Sequence, residues 1–105
     1  MESHVARFNE GVRSGDWEPM LARFADDAEL RFEGVAAGPF AGIEEIRQGY
    51  LEQPPADEIQ LLGIQDDAED SRVTAAFAWS RGGTGRLVLE HDRGAITRLG
   101  VIFDQ

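Results

Sequence analysis

Residues 72–80 read RVTAAFAWS, a run of β-branched, aromatic and small apolar residues that predicts a β-strand. Three further runs of similar character are found at residues 58–64, 86–90 and 96–103. Glycine-rich or charged segments separate the four runs and predict turns at residues 65–71, 81–85 and 91–95. Four short strands joined by turns indicate an antiparallel meander in the second half of the chain.

Two short helices are predicted at the start of the chain. Apolar residues recur there at helical spacing in two stripes, Val5, Phe8 and Val12, then Trp17, Met20, Leu21 and Phe24. Between the stripes, Gly15 is a residue type favoured just after the end of a helix, and Asp16 is a type favoured at the N-cap of the next helix. The pattern therefore predicts that the chain turns at these two residues.

One strand and a third helix follow. Residues 28–33 alternate apolar and polar side chains, which predicts a short strand, and Ile43, Ile46 and Tyr50 mark a helix. Pro54-Pro55 ends that helix, because proline lacks the backbone N–H that a helix needs. The order helix, helix, strand, helix and four strands predicts an α+β fold with its helices on one face of the sheet.

The composition excludes several classes of function. The chain has 105 residues, a formal net charge of -10, no Cys, and Arg as its only basic residue besides two His. Thiol catalysis, disulfides, Cys-ligated metals, a P-loop lysine and a Schiff-base lysine are therefore excluded. The acidity argues against nucleic acid and anionic membranes as partners. We expect a single domain, residues 1–105, in the cytoplasm, with no cofactor, no metal site, no signal peptide and no membrane span.

The later strands carry apolar residues at consecutive positions rather than at every second one. A sheet with one solvated face should alternate apolar and polar side chains. The apolar residues Ala75, Phe77, Leu87 and Val101 therefore predict that the outer face of the sheet is also covered. A second copy of the chain is the simplest cover, and we expect a homodimer through this face.

Four segments together resemble a known superfamily: GDW at 15–17, LARFADDAEL at 21–30, GIEEI at 42–46 and GAITRLGVIFD at 94–104. They are similar to the nuclear transport factor 2-like superfamily, and most similar to its SnoaL-like and ketosteroid isomerase-like members. The resemblance implies a cystatin-like α+β roll, a cone-shaped curved antiparallel sheet wrapped round three N-terminal helices. It also implies a blind apolar pocket at one end of the cone. Proteins with this fold include enzymes, binding proteins and assembly domains, so the resemblance alone does not give the function.

The catalytic residues that the resemblance implies are largely replaced in this chain. In ketosteroid isomerase-like members, the general base aligns with Phe32, and the two oxyanion-hole donors align with Phe8 and Arg86. Tyr50 matches a supporting tyrosine of that family, and the last-strand Asp of limonene epoxide hydrolase-like members falls near Val101. Neither established set of catalytic groups is therefore expected to operate here.

Arg86, Glu33 and Tyr50 remain as candidates for catalysis. If the strand face that carries Arg86 and Val88 looks into the cone, the guanidinium could hold a carboxylate or an enolate oxygen with two hydrogen bonds. Glu33 could then act as a base, although strand alternation turns it away from Phe32. The alternative interpretation places Arg86 in solvent at a hairpin end, with Glu33 also directed outward.

Aromatic residues predict the character of the pocket. The residues expected to bind a ligand are Phe8, Trp17, Phe32, Phe40, Tyr50, Trp79, Arg86, Val88, Leu99 and Val101. Such a lining favours an apolar, ring-containing small molecule. The first hypothesis is therefore a SnoaL-like, polyketide cyclase-like domain that binds such a ligand.

Two other hypotheses stay open. The protein could be an isomerase, cyclase or dehydratase that uses Arg86 with Glu33 or Tyr50, or it could be a non-catalytic homodimeric module whose cone is filled by side chains. An open cavity of a few hundred cubic ångströms would separate the first two from the third. His4, His91 and the acidic run 66–70 are expected to be solvated and to bind no metal.

Overall fold

Three helices and six strands form the protein, described here for residues 1–104, apart from the side chain of Ala68, from a computed structural model. The helices are α1 Glu2–Ser14, α2 Glu18–Leu21 and α3 Ile43–Glu52. The strands are β1 Phe24–Glu33, β2 Phe40–Ala41, β3 Ile59–Asp67, β4 Arg72–Trp79, β5 Thr84–Asp92 and β6 Ala95–Phe103, with a single 3-10 turn at Ala68–Asp70. The expected α+β class is confirmed.

All six strands belong to one curved, unclosed sheet in the order β2-β1-β6-β5-β4-β3. The predicted meander is confirmed, because β3, β4 and β5 each pair antiparallel with the next strand along the chain. β1 pairs with β6 in parallel, a pairing between distant segments that local patterns do not predict. The register shifts within β1, within β3 and, opposite Glu90 and His91 of β5, within β6. Such irregularities bend the strands that contain them, and they contribute to the curvature of the sheet.

The junction between α1 and α2 follows the sequence prediction. Gly15 takes a left-handed conformation, with φ of 78°, and its N–H donates to the Gly11 carbonyl at 2.8 Å. The Asp16 carboxylate accepts a hydrogen bond of 3.1 Å from the backbone N–H of Glu18, the first residue of α2. Gly15 thus ends α1 as predicted, whereas the N-cap position of α2 is Trp17 and Asp16 acts from the residue before it.

The second helix is shorter than predicted. Phe24 was expected on its apolar stripe, but α2 ends at Leu21 and Phe24 begins β1. Phe24 pairs with Ile96 of β6, and the Ile96 N–H donates to the Arg23 carbonyl at 2.8 Å. Phe24 joins the strand rather than the helix because α2, at four residues, has little helical stability of its own.

The core lies between the helices and the concave face of the sheet. Its largest fully buried side chains are Phe77, Met20, Leu30, Ile46 and Leu99. The side-chain amide of Asn9 on α1 both donates to the Ile59 carbonyl and accepts from the Ile59 N–H, each at 2.9 Å. Two hydrogen bonds of this kind hold α1 against the start of β3 and fix the position of the helix over the sheet.

Along β4, β5 and β6, buried and more exposed side chains alternate more regularly than the sequences suggest. Ala75, Phe77, Leu87 and Val101, the residues cited for an apolar outer face, are all buried on the inner face. They belong to the core, so that part of the sequence interpretation was wrong. The outer face carries their strand neighbours, Thr74, Ala76, Ala78, Val88, Gly100 and Ile102, which are small or half-buried.

Each helix in residues 1–104 is too short or too polar to cross a lipid bilayer.

Candidate functional site

An apolar cavity of about 270 Å³ lies inside the cone, between the helices and the sheet. Exposed residues at its mouth, Val35, Gln53 and Ala56, come from the loops after β1 and α3. The remaining lining residues are His4, Phe8, Phe32, Ala37, Tyr50, Pro55, Ile59, Phe77, Trp79, Leu87, Leu99, Val101 and Phe103. A smaller cleft of about 60 Å³ shares Phe32 and Tyr50 with the cavity and extends toward Phe40.

Seven aromatic side chains connect in a continuous path along the cavity. In order of contact they are Tyr50, Trp17, Phe8, Trp79, Phe103, Phe32 and Phe40. Neighbouring ring centroids are 4.8 to 6.4 Å apart, the range of favourable aromatic contacts. The stacked pair of Trp79 and Phe103, whose planes differ by 12°, presents a flat wall. A flat, apolar wall suits a planar ring.

Tyr50 supplies a polar group within this apolar surface. Its phenol is buried, and burial raises the pKa of the hydroxyl because the charged form loses its hydration. In the described part of the chain the hydroxyl has no hydrogen-bond partner. Tyr50 is therefore a neutral donor available to a ligand at neutral pH.

His4 is the second polar group of the cavity, and sequence reasoning missed it. It was expected in solvent, but the ring is 6% exposed and its Nδ1 has no hydrogen-bond partner among the described residues. Burial, the positive amino terminus and Arg7 lower the pKa of His4 to about 4. The imidazole is consequently neutral at physiological pH, and one of its nitrogens is left without a partner.

One sequence signal could have located His4. It lies one helical turn before Phe8 and next to Val5, so it continues the apolar stripe of α1 toward the core. Because histidine is polar and residue 4 is near the start of the chain, the sequence interpretation placed it in solvent despite that spacing. The helical period was the better guide.

Trp17 lies behind the cavity rather than on its surface. The ring is buried and packs against Tyr50, with centroids 4.8 Å apart, and against Phe8 at 5.8 Å. Gly11 of α1 makes this placement possible, because the Trp17 ring occupies the space in which a Cβ at residue 11 would stand. Trp17 was expected to touch a ligand, but it supports two residues that line the cavity.

Arg86 and Val88 lie outside the cone. Gly85, Leu87 and Leu89 of β5 point inward, so strand alternation directs Arg86 and Val88 to the outer face. Arg86 is exposed beside Ala76 and Ile102, its partners on β4 and β6. The expectation that these two residues bind a ligand inside the cone was wrong. The exposed interpretation of Arg86 was correct.

Glu33 is also directed away from the cavity. It is exposed and pairs with Ile102, whereas its neighbour Phe32 lines the cavity. The part of the chain that the structure describes brings no three His, Asp or Glu side chains together in a metal-binding arrangement. The lining of the cavity contains neither Asp nor Glu. Its polar side chains are His4, Tyr50 and Gln53.

Several solved structures share the architecture of this chain. TerC, crystallised with polyporic acid, is 18% identical and superposes with a TM-score of 0.76 over 97% of this chain and 89% of its own. A Xanthomonas campestris protein assigned provisionally as a polyketide cyclase is 19% identical, with a TM-score of 0.70 over 98% of this chain and 89% of its own. A Methylobium petroleophilum protein with a cystatin-like fold and unknown function is 20% identical, with a TM-score of 0.73 over 99% and 75%.

Identities of this size establish a shared fold and leave the activity open. No curated protein sequence shows significant similarity to the chain. The family model described as a SnoaL-like domain matches residues 5–99, nearly the whole chain. Together with the curved, unclosed sheet and the helices on its concave side, this match shows that the protein belongs to the SnoaL-like domain family, within the nuclear transport factor 2-like superfamily.

Proposed function

We propose that this protein binds a neutral, planar, ring-containing small molecule inside the cone. The observation that carries the proposal is the open, aromatic-lined cavity of about 270 Å³. A cavity of this size and apolar character is typical of small-molecule sites, whereas a module that only binds a partner protein has no need of one. The hypothesis of a cone filled by side chains is therefore the least favoured of the three.

The lining also restricts the chemistry of the ligand. A cavity without Asp, Glu or Arg offers no ion pair to a charged molecule, and transfer of an unpaired charge into such a site costs several kcal/mol or more. The Tyr50 hydroxyl and the His4 imidazole can each form a hydrogen bond with a carbonyl or hydroxyl group. We expect a ligand with an apolar ring system and one or two such groups.

Turnover, if it occurs, has to use these same two groups. The version of the enzyme hypothesis that relied on Arg86 or Glu33 is withdrawn, because neither side chain reaches the cavity. A neutral imidazole can accept a proton and a phenol can donate one, which are the two steps of an isomerisation or a cyclisation. The likeness to TerC, crystallised with polyporic acid, and to a provisionally assigned polyketide cyclase supports a small organic molecule as the ligand.

Substituting Tyr50 by phenylalanine tests the polar contact directly. We expect Tyr50→Phe to weaken the binding of 2-naphthol by about fivefold, the usual effect of one neutral hydrogen bond. Binding of naphthalene, which has the same rings without the hydroxyl, should change by less than about twofold. Both affinities can be measured by displacement of a fluorescent apolar probe.

The comparison of the two ligands serves as the internal control. Equal losses for both ligands would mean that the substitution deforms the cavity, and the assigned role of the hydroxyl would then be wrong. Failure of the wild-type protein to bind either ligand saturably would contradict the proposed function itself. Mass spectrometry of a bound ligand after incubation distinguishes binding from turnover.

We further propose that two copies associate through the outer face of the sheet. Six small or half-buried residues form the centre of this face, which the helices leave uncovered: Thr74, Ala76, Ala78, Val88, Gly100 and Ile102. Arg86 lies among them and forms no ion pair with a described residue, although the chain has twice as many acidic as basic residues. Glu33, exposed in the same row of the sheet, is the residue that a two-fold related copy could offer to Arg86.

Sedimentation equilibrium at micromolar concentration tests this association. We expect roughly twice the monomer mass of 11.6 kDa for the wild-type protein. Ala76→Glu should give monomers, because it places a charge at the centre of the face. Ala22→Glu, which adds the same charge at an exposed residue after α2, should remain dimeric. A monomeric wild-type protein at this concentration would contradict the proposed association.

A further inference from the structure

A second concavity lies at the end of the cone away from the cavity mouth. Along β6, Leu99, Val101 and Phe103 line the cavity, whereas Ile96 at the other end of the strand lines this depression of about 370 Å³. Its residues come from the start of α1, the residue before β1 and the β5–β6 hairpin: Met1, Ser3, His4, Arg7, Arg23, Leu89, His91, Gly94 and Ile96. His4 lines both concavities and separates them.

The depression concentrates basic groups in an acidic protein. Arg7, Arg23 and both histidines of the chain line it, and its lining includes no Asp or Glu. Within residues 1–104, neither of these arginines forms an ion pair. Four other arginines do form such pairs, namely Arg13, Arg31, Arg47 and Arg98. What distinguishes Arg7 and Arg23 from the other unpaired arginines is that they line one concavity together, with no carboxylate in its lining.

Two features fix the geometry of the depression. The Arg23 carbonyl accepts a hydrogen bond of 2.8 Å from the Ile96 N–H, which joins the start of β1 to the hairpin side. α1, with 13 residues, begins at the depression without a side-chain cap. The first N–H groups of a helix favour negative charge, so the backbone adds to the positive potential of the arginines.

The buried ring of His4 is a second, independent observation at this depression. Its Nδ1 lacks a hydrogen-bond partner in the described residues, and a buried polar atom in that state is unfavourable unless a ligand satisfies it. The positive charges of the amino terminus and Arg7 are close enough to the ring to contribute to its low pKa. A bound anion would offset that charge and could accept a hydrogen bond from the imidazole.

We propose that this depression binds a small oxyanion, a phosphate or carboxylate group, between Arg7, Arg23 and His4. The site is separate from the aromatic cavity and goes beyond the function proposed for it. Both anions present oxygen acceptors to which a guanidinium can donate two parallel hydrogen bonds. The cavity ligand and the anion would meet on opposite sides of one imidazole, so that either could alter the binding of the other.

Titration with inorganic phosphate, and separately with succinate, tests the proposal. Chloride keeps the ionic strength constant, and the imidazole signals of the two histidines are followed by NMR near neutral pH. We expect saturable shifts of both signals and a rise in the pKa of His4, because a neighbouring anion favours the protonated ring. A response to phosphate alone or to succinate alone identifies the group that is bound, and a response to both identifies a general oxyanion site. The absence of a saturable response to either anion would overturn the proposal.

Variants at the arginines separate a specific site from an effect of net charge. Arg7→Gln and Arg23→Gln should each weaken the binding of the effective anion by about tenfold, as expected for the loss of a charge-assisted hydrogen bond. Arg81→Gln removes the same charge from the exposed β4–β5 turn at the other end of the cone, and it should change the affinity by less than about twofold. An equal loss in all three variants would show that net charge alone is responsible, and the assigned site would then be wrong.

Discussion

Replacing Gly11 by alanine should destabilise the protein by about 2–3 kcal/mol, although the same change within a helix normally stabilises it by about 1 kcal/mol. A Cβ at residue 11 would lie 2.3 Å from Cε3 and 2.5 Å from Cζ3 of the Trp17 ring. The ring has little freedom to move away, because it is 4% exposed and packed between Phe8 and Tyr50. Relief of the clash therefore requires a shift of α1 or of the whole aromatic path.

Urea unfolding followed by circular dichroism measures this effect. Gly63→Ala is the matched control, because a Cβ at residue 63 meets no atom within 4 Å. We expect that control to change the unfolding free energy by no more than about 0.5 kcal/mol. A Gly11→Ala variant as stable as the wild-type protein would mean that Trp17 can leave its place without loss. The support assigned to it behind the cavity would then be unnecessary.

Replacing His4 by leucine should stabilise the protein at neutral pH by about 1–2 kcal/mol, because the variant removes a buried polar atom that has no partner. The substitution should also change the acid side of the stability profile. The pKa of His4 is about 4 in the folded protein against an ordinary value of 6.5. As the pH falls through this interval, the unfolded chain takes up a proton that the folded protein does not, so the wild-type protein loses stability.

The size of that loss is on the order of 3 kcal/mol, from the difference between the two pKa values. The other ionisable groups around the ring are the amino terminus, Arg7, Arg23 and His91. None of them is a carboxylate that could compensate by titrating in the same interval. His4→Leu should therefore show a flatter profile between these pH values than the wild-type protein.

Chemical denaturation at a series of pH values provides the measurement, with His91→Gln as control. His91 is half-buried on the same depression, and its substitution should leave most of the acid dependence in place. If His4→Leu is less stable than the wild-type protein and retains the full acid dependence, the ring has a partner that the described contacts do not contain. The role assigned to His4 in both concavities would then be wrong.

Local patterns in the sequence were sufficient to predict the elements and their order. The helix end at Gly15, the hydrogen bond from the start of α2 to Asp16 and the end of α3 before Pro54 follow from backbone chemistry within a few residues. The four-strand meander follows from runs of β-forming residues separated by turn residues. The resemblance to the SnoaL-like family rested on short segments of the same kind, and the family match confirmed it.

The candidate site was predicted only in part, and the errors have a common cause. Phe8, Phe32, Tyr50, Trp79, Leu99 and Val101 line the cavity as expected. Arg86, Val88 and Glu33 lie on the outer face, because neighbouring strands set which side of β5 and β1 meets the helices. Small or apolar residues occupy consecutive positions of these strands. The sequence therefore carried little information about which side chains point toward the core and which point outward.

Glycines show the same division between local and tertiary information. Gly85 was predicted within a turn, but it lies in β5, where a Cβ would stand 2.4 Å from the Ile102 carbonyl oxygen and 2.6 Å from Cζ of Phe77. Gly11, inside α1, makes room for the Trp17 ring. Both requirements come from atoms far away in the sequence, so no local pattern could predict them.

The sequence by itself therefore determined the class of fold, the order of the elements and the apolar, aromatic character of the interior. Only the tertiary structure decided which side chains share the cavity, why His4 is buried without a partner and that Arg7 and Arg23 lie beside it in one depression. Secondary structure depends on spacings of a few residues, which a sequence displays directly. A binding site depends on contacts between distant elements, such as the parallel pairing of β1 with β6, and these exist only once the chain has packed.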